Sequence, residues 1–203
     1  MKAANLAGDV RVLADRLRST ADLDRLTQPA TEFINTALDS TGSREFLSGR
    51  SWLGHPLHPA LTDLPIGFWT SALVVDLFGG RKAKGAATML VASGVAAALP
   101  TAMAGAHDFT QLEPDDKRVG IVHAIANTVA LLFYSGSLLA RLRGRRGRGV
   151  YFGVLGAAAA TLGGYLGGHL AFGGDNDPAG SAELDVRDGA LSSNGRSDLS
   201  ASV

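Results

Sequence analysis

The chain contains no cysteine, and that absence excludes several kinds of site. Without thiols there is no disulfide, no thiolate metal site and no cysteine nucleophile. An excess of charge is also missing, because 19 basic residues balance 19 acidic residues, so the composition gives no reason to expect a nucleic-acid partner. The sequence also lacks a G-x-S-x-G motif, a phosphate-binding glycine loop and an H-E-x-x-H motif. No catalytic residues are assigned, and the sequence favours a protein that is not an enzyme.

Long apolar runs dominate the middle of the chain. They cover about residues 60–78, 85–106, 119–140 and 150–172. Each run is close to the roughly 20 residues that a helix needs to cross the hydrocarbon core of a bilayer. The second and fourth runs show no polar stripe at helical spacing, which a soluble bundle would need. The sequence therefore predicts an all-α, polytopic membrane protein, an antiparallel bundle of four transmembrane helices.

Polar segments flank this membrane domain, which we place at residues 51–173. Apolar residues recur at helical spacing within residues 1–50 and predict two short amphipathic helices, separated near Gln28 and Pro29. The pattern does not decide whether these helices lie on the membrane surface or pack on the mouth of the bundle. Residues 174–203 are rich in Gly, Ser, Asp and Asn without any period, which predicts a disordered tail.

The charges of the loops predict how the bundle is oriented. The loops GGRKAKG and RLRGRRGRG, which follow the first and third runs, are basic, whereas HDFTQLEPDDKR after the second run has an acidic excess. Short loops rich in Lys and Arg stay in the cytoplasm. We therefore expect a protein of the bacterial inner membrane with both termini outside. Asp76, close in sequence to Arg81 and Lys82, is expected to form an ion pair on the cytoplasmic side.

The five histidines of the chain share one predicted face of the bundle, the outer one, and two aspartates join them. The members of this polar layer are His55, His58, Asp63, His107, Asp108, His123 and His169. An ionisable group inside a span costs about 2.5 to 3.5 kcal/mol on insertion scales, so such groups usually face the bundle and have a function. His123, His169 and Asp63 are the members that lie inside spans.

Three interpretations of the polar layer remain open, because imidazole is both a haem ligand and the commonest metal ligand. In the first, the protein is an electron-transfer module that binds haem b between helices, with His123 and His169 as the axial pair and His58 as the substitute. In the second, these three histidines and Asp63 hold a transition metal. In the third, the protein is a non-catalytic scaffold whose histidines form a hydrogen-bonded polar layer, which also includes His55 and Asp108.

Small residues recur at every fourth position of the last apolar run. They are Gly156, Ala160, Gly164 and Gly168. Rows of this kind let helix backbones approach closely in lipid. The row therefore predicts the face on which this helix packs against its neighbour, and it would equally leave room for a flat macrocycle beside His169.

A family resemblance rests on four stretches of the sequence, WLGHPLHPALTDLPIGFWTSALVVDLFGG, AGAHDF, KRVGIVHAIANT and GGYLGGHLAF. They resemble a bacterial family of four-helix membrane proteins catalogued as domain of unknown function 2231, over about residues 47–173. The positions that match the family pattern are His55, His58, Asp63, Pro65, Asp108, His123 and His169. His107 does not fall on a matching position.

The resemblance implies surroundings for the protein but no defined activity. Its direct environment is the lipid bilayer. In some relatives a Rieske iron–sulfur domain follows the fourth helix, which implies a redox partner of Rieske type. Such a cluster needs cysteine ligands, and this chain has none, so any such partner is a separate protein.

Overall fold

The computed structural model describes residues 6–80 and 82–172, and the predicted tail at 174–203 lies outside them. Every regular element in the described part of the chain is helical, as predicted. The elements are α1 (Leu6–Arg18), a 3-10 turn (Ala21–Leu23), α2 (Asp24–Thr41), α3 (Arg44–Ser48), α4 (Leu57–Phe78), α5 (Lys84–Gln111), α6 (Pro114–Leu142) and α7 (Arg146–Phe172).

The last four helices, α4 to α7, are long and apolar enough to cross a membrane. They contain the four predicted runs, and α5 and α6 extend into the polar sequence between them, where their ends project beyond the apolar zone. Short connections make successive helices run antiparallel. The starts of α4 and α6 therefore lie with the ends of α5 and α7, at what we call the histidine end. The opposite end, where α7 begins with Arg146, is called the arginine end.

The four long helices form two hairpins. Packing is most extensive between α4 and α5, the first hairpin, and between α6 and α7, the second hairpin. The hairpins meet less extensively, through α5 against α6 and α4 against α7. This arrangement leaves α4 and α6 on a diagonal of the bundle, where they run in the same direction and meet through long side chains.

The centre of the bundle is an aromatic core. The indole of Trp69 on α4 stacks on the ring of Tyr134 on α6, with centroids 3.9 Å apart and planes 8° apart. Ala72, Val91 and Ala98 complete the buried cluster. The outward surface of the long helices carries many exposed large apolar side chains, which suits contact with lipid rather than with water.

The N-terminal helices α1 to α3, which we call the cap, pack on the histidine end of the bundle. Ala14 of α1 is fully buried against Val119 of α6 and Leu166 of α7, beside Leu17. Burying this apolar stripe removes it from water, which favours docking by about 25 cal/mol per Å². Packing on the bundle is therefore the answer to the question that the amphipathic pattern left open.

Ion pairs at the edge of this contact fix the position of the cap. Arg18 donates from Nε to Asp116 at 2.8 Å. Arg118 donates in the other direction, from Nε and Nη2 to the two carboxylate oxygens of Asp24 at 2.8 and 2.9 Å. A two-pronged contact of this kind specifies orientation as well as proximity.

The break between the N-terminal helices lies earlier than the sequence predicts. Pro29 lies inside α2, and the chain turns instead at Ala21–Leu23. Proline removes one backbone hydrogen bond, but Pro29 is only five residues from the start of α2, so the helix loses little by including it. The separation predicted near Gln28 and Pro29 is wrong for this reason.

Pro65 lies inside α4, and its missing N–H leaves the carbonyl of Leu61 without a helical partner. The hydroxyl of Thr101 on α5 lies 3.3 Å from that carbonyl oxygen and 2.8 Å from the carbonyl oxygen of Ala97 on its own helix, so its one proton is shared between the two acceptors. A neighbouring helix thus satisfies the freed group, as a membrane bundle requires. The same contact ties the two helices of the first hairpin together near its histidine end.

Candidate functional site

Two histidines from diagonally opposed helices meet at the histidine end. His58 lies in the first turn of α4, and His123 lies in the third turn of α6. Their ring centroids are 6.3 Å apart and their planes are perpendicular. Both side chains are half-buried. The contact joins the first hairpin to the second at this depth of the bundle.

Each of the two rings is tied to a backbone carbonyl of its own hairpin. Nδ1 of His58 lies 2.9 Å from the carbonyl oxygen of Thr101 on α5, and Nδ1 of His123 lies 2.7 Å from that of Gly163 on α7. A carbonyl oxygen only accepts hydrogen bonds, so each Nδ1 carries the proton and donates it. In a neutral imidazole this leaves Nε2 with its lone pair.

A glycine lies against each ring and makes room for it. A Cβ atom at Gly105 of α5 would lie 2.8 Å from Cε1 of His58, and a Cβ atom at Gly167 of α7 would lie 2.7 Å from Cε1 of His123. Real side chains do not approach so closely, so any larger residue would displace the ring. Glycine is therefore required at both positions for the observed packing.

The amide of Asn127, one turn beyond His123 on α6, also contacts the histidine. Its Nδ2 lies 3.0 Å from the backbone carbonyl oxygen of His123 and 3.1 Å from Nε2 of the same residue. The same amide nitrogen lies 3.3 Å from Nδ1, so it sits beside the ring and not along the Nε2 lone pair, and the hydrogen bond that it donates is the one to the carbonyl oxygen of His123. The polar groups of this layer are thus bonded to one another.

His169 and Asp63 do not join the pair. Gly167 faces His123, and His169 lies two residues further along α7, which turns it by about 200° to another side of the helix. Its Nε2 is buried without a hydrogen-bond partner. Asp63 is exposed on α4. Within the described residues, no group of three or more His, Asp or Glu side chains is arranged to hold a metal ion.

The other members of the predicted layer lie at its edge. His55 is exposed in the loop before α4, and its Nδ1 lies 3.1 Å from the carbonyl oxygen of Pro56. His107 is buried on α5, where its Nδ1 lies 3.1 Å from a carboxylate oxygen of Asp108. The layer predicted from the sequence therefore divides into a central pair and separate peripheral groups.

The arginine end contains a buried ion pair across the same diagonal. Asp76 on α4 accepts hydrogen bonds from both terminal nitrogens of Arg141 on α6, and both side chains are 3% exposed. Arg146 at the start of α7 lies 3.4 Å from the same carboxylate, and Nε of Arg141 also donates to Ser137.

The predicted ion pair of Asp76 is thus present, and its partners in the described part of the chain are Arg141 and Arg146. Lys82 follows the end of α4 and lies beyond the depth of the carboxylate, and Arg81 is outside the described residues. Arg141 reaches Asp76 because α6 runs parallel to α4 and brings it to the same depth.

These contacts reveal an internal repeat along α4 and α6. A step of 65 residues leads from His58 to His123, from Trp69 to Tyr134 and from Asp76 to Arg141. In each case the two residues touch each other across the diagonal. The intervals within each helix are therefore identical, eleven residues followed by seven. Two parallel helices with matched contacts imply a pseudo-two-fold axis along the bundle.

The same repeat relates α5 to α7, by a step of 62 residues. Gly94 packs against Trp69 as Gly156 packs against Tyr134. His58 bonds to the backbone oxygen of Thr101 and packs against Gly105. His123 bonds to the backbone oxygen of Gly163 and packs against Gly167. All three pairs are related by that one step. The histidine site thus lies on the axis that relates the two hairpins.

The packing face of α7 differs from the predicted row of small residues. Gly149, Gly156 and Gly163 are buried, whereas a Cβ at Gly164 or Gly168 would meet nothing within 4 Å. Residues seven apart return almost to the same side of a helix, whereas a row of every fourth residue drifts around it. The predicted face is therefore wrong beyond Gly156.

Residues 54–175 match the family described as predicted membrane protein (DUF2231). The chain belongs to this family. The match covers more than half of the sequence and includes all four long helices, so the family and the hydropathy of α4 to α7 agree on a multi-pass membrane protein. No curated protein and no solved structure matches the chain.

Several residues of the site were not singled out by the sequence. Trp69, Asn127 and the two glycines at the rings lie within the stretches that carry the family resemblance, but neither they nor Tyr134 were assigned a role from the sequence. The matched intervals His-Trp-Asp and His-Tyr-Arg are nevertheless visible in the sequence once α4 and α6 are aligned. This alignment is the signal that would have paired His58, rather than His169, with His123.

Proposed function

We propose that this DUF2231 protein is an electron-transfer module that binds a b-type haem, with His58 and His123 as the ligands of its iron. The observation that carries the proposal is the separation of 6.3 Å between two imidazole rings from different hairpins. A metal binds an imidazole nitrogen at about 2 Å, so two rings on opposite sides of one metal have centres about 6 Å apart. The separation of the rings agrees with that value.

The chemistry of the two rings supports the same proposal. Histidines that bind a metal usually donate their other N–H to a carbonyl or carboxylate, which fixes the ring and makes it a better ligand. The carbonyl groups of Thr101 and Gly163 accept such bonds here. The lone pairs on Nε2 are then the ones available to a metal.

The protein's own residues would orient the ligands and limit the access of water. A bound haem supplies a one-electron redox centre, whose potential depends on the axial ligands and on burial. The two carbonyl groups hold the imidazoles, and the cap covers part of the histidine end. The Asn127 amide lies 3.1 Å from Nε2 and 3.3 Å from Nδ1 of His123, so it contacts the side of the ring and does not occupy the Nε2 lone pair.

The second candidate function is that of a structural scaffold in which the same pair stabilises the bundle without any ligand. The observation in its favour is that polar groups of the layer are already bonded, since each Nδ1 donates to a carbonyl oxygen and the Asn127 amide donates to the carbonyl oxygen of His123. A separate transition-metal site that includes His169 and Asp63 has less support, because these two do not join the pair.

The proposed location is the bacterial inner membrane, with the arginine end in the cytoplasm and the histidine end outside. The support is the charge rule for short loops, since the connection between α6 and α7 carries Arg143 and Arg145, and α7 begins with Arg146. A haem at the histidine end would then exchange electrons with a partner outside, for which a Rieske-type protein is the proposal that follows from the family resemblance.

The deciding experiment is a reduced-minus-oxidised absorption spectrum of protein purified in mild detergent from haem-replete cells. We expect a sharp absorption band typical of bis-imidazole haem b in the wild type. The band should be lost in His58→Ala and in His123→Ala, because each removes one axial ligand. It should persist in His55→Ala and His169→Ala, since those rings lie apart from the pair.

A flat spectrum from folded wild-type protein with no metal by elemental analysis would contradict the haem proposal and favour the scaffold. In that case His58→Ala and His123→Ala should lower the free energy of unfolding, by about 0.5 to 1.5 kcal/mol for each hydrogen bond lost. A haem band that is lost in His169→Ala but kept in His58→Ala would instead assign the ligands to His123 and His169, the pair expected from the sequence.

A further inference from the structure

We propose that the two hairpins present equivalent faces to each other, and that the Asp76–Arg141 contact is the specificity determinant that makes each hairpin accept only the unlike one. The proposal concerns the pairing of the hairpins and does not depend on a bound haem. It rests on the repeat that relates α4 with α6 and α5 with α7.

The diagonal between α4 and α6 has three layers of contact, the histidine pair, the aromatic stack and the ion pair. In the first two layers the side chains that meet are of the same kind. An imidazole meets an imidazole at the histidine end, and an aromatic ring stacks on an aromatic ring at the centre. A face of this kind is self-complementary and would also fit a copy of the same hairpin from a second chain. The first two layers therefore hold hairpins together without specifying which ones.

The third layer differs, because the repeat places opposite charges at equivalent positions. If two first hairpins paired, Asp76 would face a second aspartate, and if two second hairpins paired, Arg141 would face a second arginine. Both side chains are 3% exposed, and a buried charge without a partner is strongly destabilising. Lys84, the equivalent of Arg146, would offset part of the repulsion between two aspartates, whereas two second hairpins would bring Arg141 and Arg146 of both copies together without a carboxylate. Pairing of unlike hairpins is the arrangement in which the buried aspartate and arginine neutralise each other.

The residues around the ion pair also differ between the two hairpins, in a way that suits an arginine in one and an aspartate in the other. Gly149 on α7 leaves room for Arg141, since a Cβ there would lie 2.6 Å from Cγ of the arginine. The equivalent position on α5 is Ala87, which needs no such space because Asp76 is shorter. Ser137 accepts a hydrogen bond from Arg141, and its equivalent is Ala72.

A basic residue is nevertheless kept at both hairpin turns. Arg146 begins α7 and contacts the Asp76 carboxylate, and its equivalent at the start of α5 is Lys84. Lys84 is thus positioned to support a carboxylate at position 141 in the way that Arg146 supports the one at position 76. The repeat therefore predicts that the charges can be exchanged between the hairpins.

The test is a charge exchange in the full chain. Asp76→Arg and Arg141→Asp alone should each lower the midpoint of thermal unfolding in detergent by roughly 10 °C, because each leaves two like charges buried. The double variant should recover part of the loss. Adding Ala72→Ser and Ala87→Gly to the double variant should recover more, since the arginine at position 76 then gains the hydroxyl and the space that Arg141 has now.

A matched control is the exchange of Asp39 and Arg44, an exposed ion pair of the cap, which should leave the midpoint unchanged. The proposal is overturned if the double variant is no more stable than the worse single variant, or if the two added substitutions do not help. If a single variant does not fold, the comparison of the double variant with the quadruple variant still decides, because it tests equivalence directly.

Discussion

At the scale of single residues, the contact between glycine and imidazole governs the histidine site. Gly167→Ala would force a methyl group against the ring of His123, from which a Cβ would lie 2.7 Å. We expect a loss of about 1 to 3 kcal/mol in the free energy of unfolding, as for overpacking elsewhere. Gly105→Ala should act on His58 in the same way. Thermal unfolding in detergent measures both effects.

The same helix supplies a matched control for this prediction. A Cβ at Gly164 would meet nothing within 4 Å, so Gly164→Ala should be neutral or raise stability by up to about 1 kcal/mol through helix propensity. Equal losses in Gly164→Ala and Gly167→Ala would mean that the ring contact is not the cause.

At the scale of elements, the docking of the cap depends on acidity. The hydrogen bonds from Arg118 lower the pKa of Asp24 from its usual value of 3.8. A carboxylate whose pKa is lowered in the folded state stabilises that state above its ordinary pKa. The stabilisation is lost as the pH falls through the lowered value, so the cap should loosen below about pH 4.

Hydrogen exchange of the α1 and α2 backbone amides between pH 3 and 7 would measure this loosening. In Asp24→Asn the amides should exchange faster at neutral pH, and the acid-induced step should shrink because the titrating group is gone. Asp22→Asn is the control, since Asp22 is highly exposed and pairs only with Arg25 nearby. An unchanged acid step in Asp24→Asn would assign the pH dependence to another carboxylate.

At the scale of the whole molecule, the orientation in the membrane can be tested directly. If the arginine end is cytoplasmic, the even number of spans places both ends of the chain on the outer side. A periplasmically active reporter fused after Val203 should then be active, and one inserted between α6 and α7 should be inactive. The reverse pattern would place the histidine pair on the cytoplasmic side.

The sequence predicted the large features of the fold and fewer features of the site. The four spans follow from hydropathy, because a helix in lipid needs an unbroken apolar length. Alternating helix directions placed the histidines at one end without further information. The pairing of His58 with His123 depends on how each helix is rotated about its own axis. Helices α4 to α7 are apolar on every side, so they have no polar stripe from which this rotation could be predicted.

The internal repeat escaped detection for a related reason. Between α4 and α6 the intervals and one histidine are kept, while Trp69 is replaced by Tyr134 and Asp76 by Arg141. Their equivalence becomes recognisable through the contacts that they make, not through residue identity. The exact position of the packing face on α7 likewise depends on the partner helix and not on its own composition.

The three contacts on the diagonal have a mechanical consequence. They join helices that run in the same direction at matched heights, so sliding one hairpin along the other by a single helical turn, about 5.4 Å, would separate the imidazoles, unstack the aromatic rings and break the ion pair together. A sliding movement of one hairpin along the other would therefore cost all three contacts at once.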